Sequence, residues 1–532
     1  MQTNTETKKD LGIIIKDALK ELKETLIAFI KAPRALWGIN IPYIIEGLCY
    51  FGLIFILTVY SSENVKLNDI ASGLVVGGVT WGITFAMLFL GGVVDRIGVR
   101  NALAGSLALM AVGRFFAALS GTLPLGTGLW SPMFFMLTTG LLIMVIGYGI
   151  YQPAAYAGVK RYTNPQTAAM GYAVIYALMN LGGFIFGPIS SFTRQNLTNI
   201  FPPNGLAGVI WILAALTIIS SLLTLLIIRK KVDQAAVDRV KKETEQLQKS
   251  DTKKLSAKEN ESKSALPKRK INNKFLILWS LIAVASVIIY ILVQSGKLEI
   301  HPALPVSVLI LSFILTIYDF LRNRPDHPFR DGRFSFFIFI LIPVQTLFAH
   351  QWLTIPLYLK RAFSGSLVSE SFEVFGNLNP LLIFILAPII AGLTARTKVY
   401  KMMIWGTIVM AVPTFLLAIG TNAYFYLLYV LFMTLGEAMW QPRFLQWIAE
   451  IAPEGKTGIY MGIGQFPWFL TKMVTSFYSG YFLQNFIPDP AFGLSSNPEF
   501  MWFIYGLIAI ISPVALIIAR KWMVKGMKEK AM

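Results

Sequence analysis

Apolar residues run in stretches of about 20 along most of the chain, separated by short loops that hold nearly all of the charge. A stretch of that length crosses a hydrocarbon core of roughly 30 Å as a helix. Twelve such stretches fall into two sets of six: 41–60, 71–94, 101–121, 132–158, 168–192 and 206–228, then 334–359, 372–395, 400–419, 422–449, 458–484 and 500–519. Between the sets lie residues 229–274, rich in Lys, Glu, Gln and Ser, which read as a solvated charged linker, and two more apolar runs near 275–294 and 302–321. The pattern predicts an all-α polytopic membrane protein with fourteen spans. Its expected parts are a six-helix bundle over 41–228, the linker 229–274, two inserted transmembrane helices within 275–321, a second six-helix bundle over 334–519 and a basic tail, 520–532. Residues 1–40 are not read as a signal peptide, because Lys16, Lys20, Lys23 and Lys31 interrupt the apolar positions. Leu11, Ile15, Leu19, Leu22 and Leu26 recur at helical spacing among them, which predicts an amphipathic helix on an anionic membrane face.

Composition agrees with the pattern: 55% of the 532 residues are hydrophobic and 14% charged. The net charge of +19 would suggest nucleic acid if it were clustered on a soluble domain. Instead it sits in loops: Asp95 to Arg100, Lys160-Arg161, Arg229-Lys230-Lys231, Arg322 to Arg333, Arg396 to Lys401 and Arg520 to Lys530. Fourteen spans place all of these, and both termini, on one side, which the positive-inside effect makes the cytoplasm. A plasma or inner membrane is the expected location. No nucleic-acid partner is expected, the bilayer is the surrounding partner, and a monomer is expected. The single cysteine, Cys49, excludes an internal disulfide.

The chain also states one motif twice. Gly147 to Pro153 (Gly-Tyr-Gly-Ile-Tyr-Gln-Pro) and Gly436 to Pro442 (Gly-Glu-Ala-Met-Trp-Gln-Pro) both fit G-x-x-x-aromatic-Gln-Pro, about 290 residues apart. Each lies in the last third of a long apolar run. Such internal repeats mark secondary transporters, whose substrate site lies between two related halves.

Ionisable groups inside spans are costly and are functional candidates by default. Glu437 lies mid-span. Lys472 is equally deep and is an expected partner for it, since buried charges need partners. Glu46 lies near the start of the first span, either functional or an interface anchor. Arg114 either binds a carboxylate or anchors at the far interface, and His350 is either a proton group or a structural histidine. Tyr50, Tyr151, Tyr156, Asn180, Gln351, Trp440, Gln441 and Trp468 are candidate cavity-lining residues. Gly455-Lys456-Thr457 only superficially resembles a phosphate-binding loop, since Glu450 stands where a glycine is required. No nucleophile elbow, catalytic dyad or metal-ligand cluster is visible, so neither a catalytic residue nor a metal site is assigned and an enzyme is not expected.

Gly91 to Asn101 (Gly-Gly-Val-Val-Asp-Arg-Ile-Gly-Val-Arg-Asn) resembles the loop signature of the major facilitator superfamily, with Asp95, Arg96 and Arg100 as the implied conformational latch. Span by span the chain is similar to the proton-dependent oligopeptide transporter family. Glu46 to Gly52 (Glu-Gly-Leu-Cys-Tyr-Phe-Gly) resembles the end of that family's E-x-x-E-R-F-x-Y-Y-G. Gly147 to Pro153 resembles G-x-G-x-x-Lys-Pro, and Tyr176 to Gly182 resembles F-Y-x-x-I-N-x-G. His350-Gln351 stands where the family has Glu-Gln. Asn379-Pro380 with Ala387-Pro388, Gly436-Glu437 with Pro442, and Trp468-Phe469-Leu470 resemble spans eight, ten and eleven.

The resemblance implies the major facilitator fold and proton-coupled uptake of peptides or peptide-like compounds by alternating access. The implied substrate and proton residues are Glu46, Tyr50, Arg114, Tyr151, Gln152, Asn180, His350, Gln351, Glu437, Trp440, Gln441, Trp468 and Lys472. No cofactor is expected beyond a coupling proton. The chain departs from the family where Tyr43 and Gly47 replace the first acid and the arginine, and where Gln152 replaces the lysine. Glu46 is therefore expected to face Gln152, bridged by Tyr50 or Tyr151. The alternative is a major facilitator carrier for a drug, sugar or organic anion, with or without proton coupling.

Overall fold

The computed structural model describes residues 33–164, 168–252, 274–294, 298, 300–301, 303–325, 327–394, 397–451, 460, 463–464 and 466–530. Most of the expected surface helix in 1–40, the linker from 253 to 273, Gly455-Lys456-Thr457 and the last two residues lie outside the described residues.

The first set of apolar runs forms α1 (Arg34–Val59), α2 (Asp69–Leu90), α3 (Val99–Ser120), α4 (Pro132–Tyr162), α5 (Ala168–Leu197) and α6 (Leu206–Ile227). The charged linker begins as α7 (Lys230–Thr252), and the two extra runs form α8 (Lys274–Gln294) and α9 (Ala303–Arg322). The run expected at 334–359 is not one helix but three: α10 (Gly332–Ile340), α11 (Ile342–Leu353) and α12 (Ile355–Ala362). Pro343 and Pro356 sit in the first turns of α11 and α12, and each removes a backbone donor where the preceding helix would have continued. The remaining spans are α13 (Leu378–Thr394), α14 (Val399–Ala411, continued to Ile419 by shorter turns), α15 (Ala423–Ile451), α16 (Phe466–Phe486) and α17 (Pro498–Ile518), followed by the basic α18 (Arg520–Lys530).

Ten helices among the described residues are long and apolar enough to cross a membrane. The other four expected spans fall on α8, α9, α13 and α16. α1 begins seven residues before the expected span and continues past Val59 as a π-helical turn, Tyr60–Asn64.

Two bundles result. In the first, α3 packs on α4 and α6, α1 packs on α5 and α6, and α2 packs on α4. In the second, α15 packs on α13 and α14, and α11 on α16 and α17. The bundles meet where α2 packs on α16, α5 on α13, and α1 on α11. α8 and α9 pack mainly on each other and present Leu278, Leu281, Leu311 and Phe313 outward, as expected of helices that face lipid.

The repeated motif has a packing role that is the same in both halves. A Cβ added at Gly147 on α4 would lie 3.0 Å from the Ser106 carbonyl oxygen of α3. One added at Gly436 on α15 would lie 2.6 Å from the Gly406 carbonyl oxygen of α14. In each copy the motif's first glycine lets the fourth helix of the bundle approach the third. Each motif proline, Pro153 and Pro442, lies inside its helix.

Candidate site between the two bundles

A cavity of about 30 Å³ opens between the bundles, lined by Phe51 and Phe55 of α1, Asn180 of α5, Phe348, Gln351 and Trp352 of α11, and Gly376, Asn377, Asn379 and Pro380. That volume holds roughly two waters. Its walls are aromatic, and its polar groups are side-chain amides. Asn180 donates its Nδ2 to the Tyr176 carbonyl at 2.9 Å, and Asn377 donates to the Glu373 carbonyl at 2.7 Å. Asn379 donates to Thr434 Oγ1 and to Glu437 Oε2, both at 2.9 Å. Asn379 thus uses both of its N–H donors, Asn180 and Asn377 each keep one, and among the described residues none of the three carbonyl oxygens accepts a hydrogen bond. Gln351 is buried, and neither its Oε1 nor its Nε2 has a partner among the described residues. An unpaired buried amide costs on the order of 1–3 kcal/mol per group, so its place on a cavity wall points to a ligand or water as its partner. The site therefore presents three Asn carbonyl acceptors, a spare N–H on Asn180 and on Asn377, and one complete amide, with the Glu437 carboxylate immediately behind Asn379.

Glu437, buried on α15, is held by Asn379 and not by Lys472 as expected. Lys472, half-buried on α16, forms no ion pair or hydrogen bond among the described residues. Trp468 packs edge-on against Phe348 of the cavity wall, with ring centroids 5.3 Å apart. Trp440 does not line the cavity: it is fully buried against α14, with its indole nitrogen 3.2 Å from Met410 Sδ. Its neighbour Gln441 is half-buried.

His350 is enclosed. Its Nδ1 is 2.7 Å from Thr354 Oγ1, its Nε2 is 3.1 Å from Tyr478 Oη, and its ring stacks on Tyr505 at 3.9 Å. Both nitrogens are used and the ring is fully buried, so the structural role outweighs exposure to the cavity.

In the first bundle the expected Glu46–Gln152 contact is not formed. Arg114 of α3 donates from both terminal nitrogens to the two oxygens of Glu46, at 2.9 and 2.5 Å, and also to Thr217 Oγ1 of α6 at 2.6 Å. Arg114 and Glu46 are 0% and 1% exposed, so this is a wholly internal brace of α1, α3 and α6. Arg114 is a carboxylate-binding residue, and its carboxylate belongs to the protein. Gln152 instead reaches Tyr156 Oη at 3.4 Å along its own helix. Tyr50 stacks on Tyr148 at 4.6 Å and Tyr151 on Tyr43 at 5.9 Å, forming an aromatic layer beside the brace. The Tyr151 hydroxyl has no partner among the described residues.

Of the expected latch, Asp95 and Arg96 are exposed and form no ion pair among the described residues. Arg100 donates from Nε to the Ile228 carbonyl at 2.6 Å, tying the start of α3 to the end of α6.

A set of ion pairs between the bundles was not foreseen from the sequence. Arg361 holds Asp69 bidentately at 2.7 and 2.8 Å and reaches Ser62 Oγ at 3.1 Å. Lys360 bonds Glu63. Arg194 bonds Glu373 at 2.6 Å and also the Glu370 carbonyl. Nearby, Thr58 donates to the Trp352 carbonyl at 2.8 Å. All three ion pairs lie at the span ends opposite the basic loops. The signal available in the sequence was that these charges sit at helix ends on the sparsely basic side.

Comparison with known proteins supports this architecture. No curated protein matches the chain by sequence. Among solved structures the chain is similar in fold to a peptide transporter POT in complex with sulfate, at 15% identity and a TM-score of 0.61, covering 92% of this chain and 95% of that one. It is also similar to a POT family transporter in complex with a thioalcohol-conjugated peptide, at 16% identity and a TM-score of 0.63, covering 93% and 98%. A third similar structure is a POT family transporter in complex with 5-aminolevulinic acid, at 17% identity and a TM-score of 0.62, covering 92% and 97%. The family model of the Major Facilitator Superfamily matches residues 39–323, more than half of the chain, and the protein belongs to that superfamily.

Proposed function

We propose that the protein is a secondary active transporter that carries a small peptide or peptide-like solute across the membrane by alternating access, driven by protons. The observation that carries this reading is the amide-lined cavity between the bundles, whose volume of about 30 Å³ marks a narrowed path that must widen to admit such a solute. Three Asn carbonyl oxygens and the Glu437 carboxylate suit a substrate that donates N–H groups, and the free Gln351 amide can pair with a peptide group in both directions. The aromatic walls fit apolar side chains. Neighbours in fold that bind a peptide conjugate or 5-aminolevulinic acid are consistent with an amine-bearing substrate.

The coupling proton is assigned to Glu437, whose contacts are to neutral groups, and not to Glu46, which is consumed by Arg114. The ion pairs opposite the basic loops join the bundles at one end; with the basic loops in the cytoplasm, that end is the outer one. The protein is read as a carrier without catalytic residues, metal or cofactor, in a plasma or inner membrane with both termini cytoplasmic. A second reading, a carrier for another substrate class, is favoured by one observation: among the described residues the first bundle places no cation on the cavity wall for a substrate carboxylate, since Arg114 is paired away from it and Gln152 is neutral.

Purified protein in proteoliposomes, given a mixture of di- and tripeptides and amine-bearing metabolites with an inward proton gradient, should concentrate at least one of them. Glu437→Gln should still exchange substrate but no longer concentrate it. Full accumulation by a well-folded Glu437→Gln protein would exclude the coupling role.

A further inference from the structure

Outside the central cavity, α3 and α6 leave a groove of about 360 Å³ on the lipid-facing side of the first bundle, lined by Ala108, Ala111, Phe115, Ile218, Ser221 and Leu222. Small residues on α3 make the hollow, and large ones form its rim: Phe115, Ile218 and Leu222 are strongly exposed. Ser221 is already satisfied by the Ala104 carbonyl at 2.9 Å, so the groove presents no open polar group of its own. Its far end is closed by Phe115, which packs edge-on against Trp211 at 5.3 Å, while Trp211 donates to Thr122 at 2.9 Å. The end toward the basic loops is where the charge lies.

Arginines stand above both walls, one placed by helical register and one by a hydrogen bond. At 100° per residue, Arg100 falls on the same face of α3 as Ala104, Ala108, Ala111 and Phe115. Arg229 lies past the end of α6, after the non-helical Ile228, but its side chain folds back so that Nε donates to the Leu226 carbonyl at 3.2 Å, and Leu226 follows Ile218 and Leu222 on one face of α6. The two arginines are joined through adjacent groups: Arg100 bonds the Ile228 carbonyl, one residue before Arg229. Arg100 keeps Nη2, and Arg229 keeps both terminal nitrogens, without a partner among the described residues. Lys230 and Arg96 are exposed beside them. The nearby acids are Asp95, which is exposed, and Asp233, which is committed to Arg161 and Tyr162. From Arg100 to Ala108 the rise along α3 is ~12 Å, the separation between a phosphate at the interface and the upper part of an acyl chain.

We propose that this groove is a binding site for an anionic phospholipid, with one acyl chain seated between α3 and α6 and the headgroup phosphate held by Arg100 and Arg229. Apolar hollow and basic cap are continuous on one face, which a soluble anion would not need and a neutral lipid would not use in full. A lipid here braces the same two helices that Arg114 ties to α1 from the inside.

The test is native mass spectrometry of the full-length protein, delipidated in detergent and titrated with dioleoyl phosphatidylglycerol or dioleoyl phosphatidylcholine. The wild type should retain one phosphatidylglycerol in preference to phosphatidylcholine. Arg229→Gln should weaken that retention by roughly fivefold, the contribution of one basic residue at a membrane surface. Ala108→Trp, at an exposed position that fills the hollow, should abolish it while leaving thermal unfolding unchanged. Equal retention of the two lipids, or retention of phosphatidylglycerol insensitive to both variants, overturns the proposal. So does a dimer that Ala108→Trp dissolves without changing lipid retention, since the groove would then be an interface with a second copy. Inorganic phosphate at the same concentration should not compete; if it does, the site reads phosphate alone and the acyl-chain assignment fails.

Discussion

Arg114 places both terminal nitrogens on the two carboxylate oxygens of Glu46, and neither residue is reached by solvent. Desolvating two charges is costly, and their attraction offsets that only with good geometry and further hydrogen bonds, of which Thr217 supplies one. Removing one partner should therefore be far worse than removing both. Arg114→Gln is expected to destabilise the protein by about 3–5 kcal/mol, whereas Glu46→Leu combined with Arg114→Met should recover most of that loss. Thermal unfolding of the detergent-solubilised variants measures the difference. If Glu46 were instead a cavity proton carrier, the double variant would fold but lose concentrative uptake.

Gln351 is the counterpart case, a buried amide with no partner among the described residues. Gln351→Leu removes no hydrogen bond within the protein, so stability should be unchanged or slightly higher. Uptake kcat/KM should fall by about 10-fold, as one substrate hydrogen bond is lost. A folded Gln351→Leu protein with wild-type uptake would remove the cavity from the substrate path.

The contrast between these residues shows what was legible in the sequence. Apolar run length located the helices, because the bilayer imposes one length on all of them. It could not show that α1 starts at Arg34, since seven mixed residues precede the apolar run. Counted from that start, Glu46 lies ~18 Å along α1, and Arg114 lies ~22 Å along α3 from Val99. Matched depth pairs these two residues, whereas motif position alone points to Gln152. Periodicity assigns a residue to one face of one helix. Which helix lies opposite is decided by packing, and the same blindness put Lys472 beside Glu437 and Trp440 in the cavity, when α14 covers Trp440.

The pairs that join the bundles should control which mouth is closed. Arg361→Asp would set two acids against each other at Asp69 and separate the helix ends there. Spin labels at the exposed Leu123 and Leu367 should report a longer distance in Arg361→Asp. The swapped pair, Asp69→Arg with Arg361→Asp, should restore the wild-type distance. An unchanged distance in the single variant would mean that other contacts hold this mouth shut.

Outside the membrane, the linker helix α7 docks on the end of α4. Asp233 accepts from Arg161 at 2.9 and 3.2 Å and from Tyr162 at 2.8 Å. Burial alone would raise the Asp233 carboxyl, but these hydrogen bonds outweigh it and hold it below its usual value. A depressed folded pKa means the stabilisation is complete above the ordinary aspartate value of roughly 3.9 and is lost as pH falls through the lower, folded one. A spin label at Gln234 should stay immobile from pH 7 down to about pH 4 and become mobile below it. Asp233→Asn should be mobile across the whole range. Mobilisation of the wild type already at pH 5 would contradict the direction of the shift.

The polarity of the bundle-to-bundle pairs has an energetic corollary. Two of the acids, Glu63 and Asp69, belong to the first bundle and the third, Glu373, to the second, with the bases arranged the opposite way. Opening this mouth returns six ions to water, and rehydration offsets much of the attraction that is lost. Closure of this kind is strong in alignment and shallow in depth. The pairs dictate the one register in which the bundles meet, yet leave the reverse motion within reach of thermal energy and of a single proton. A greasy seam of the same area would hold the halves just as accurately and would not let go.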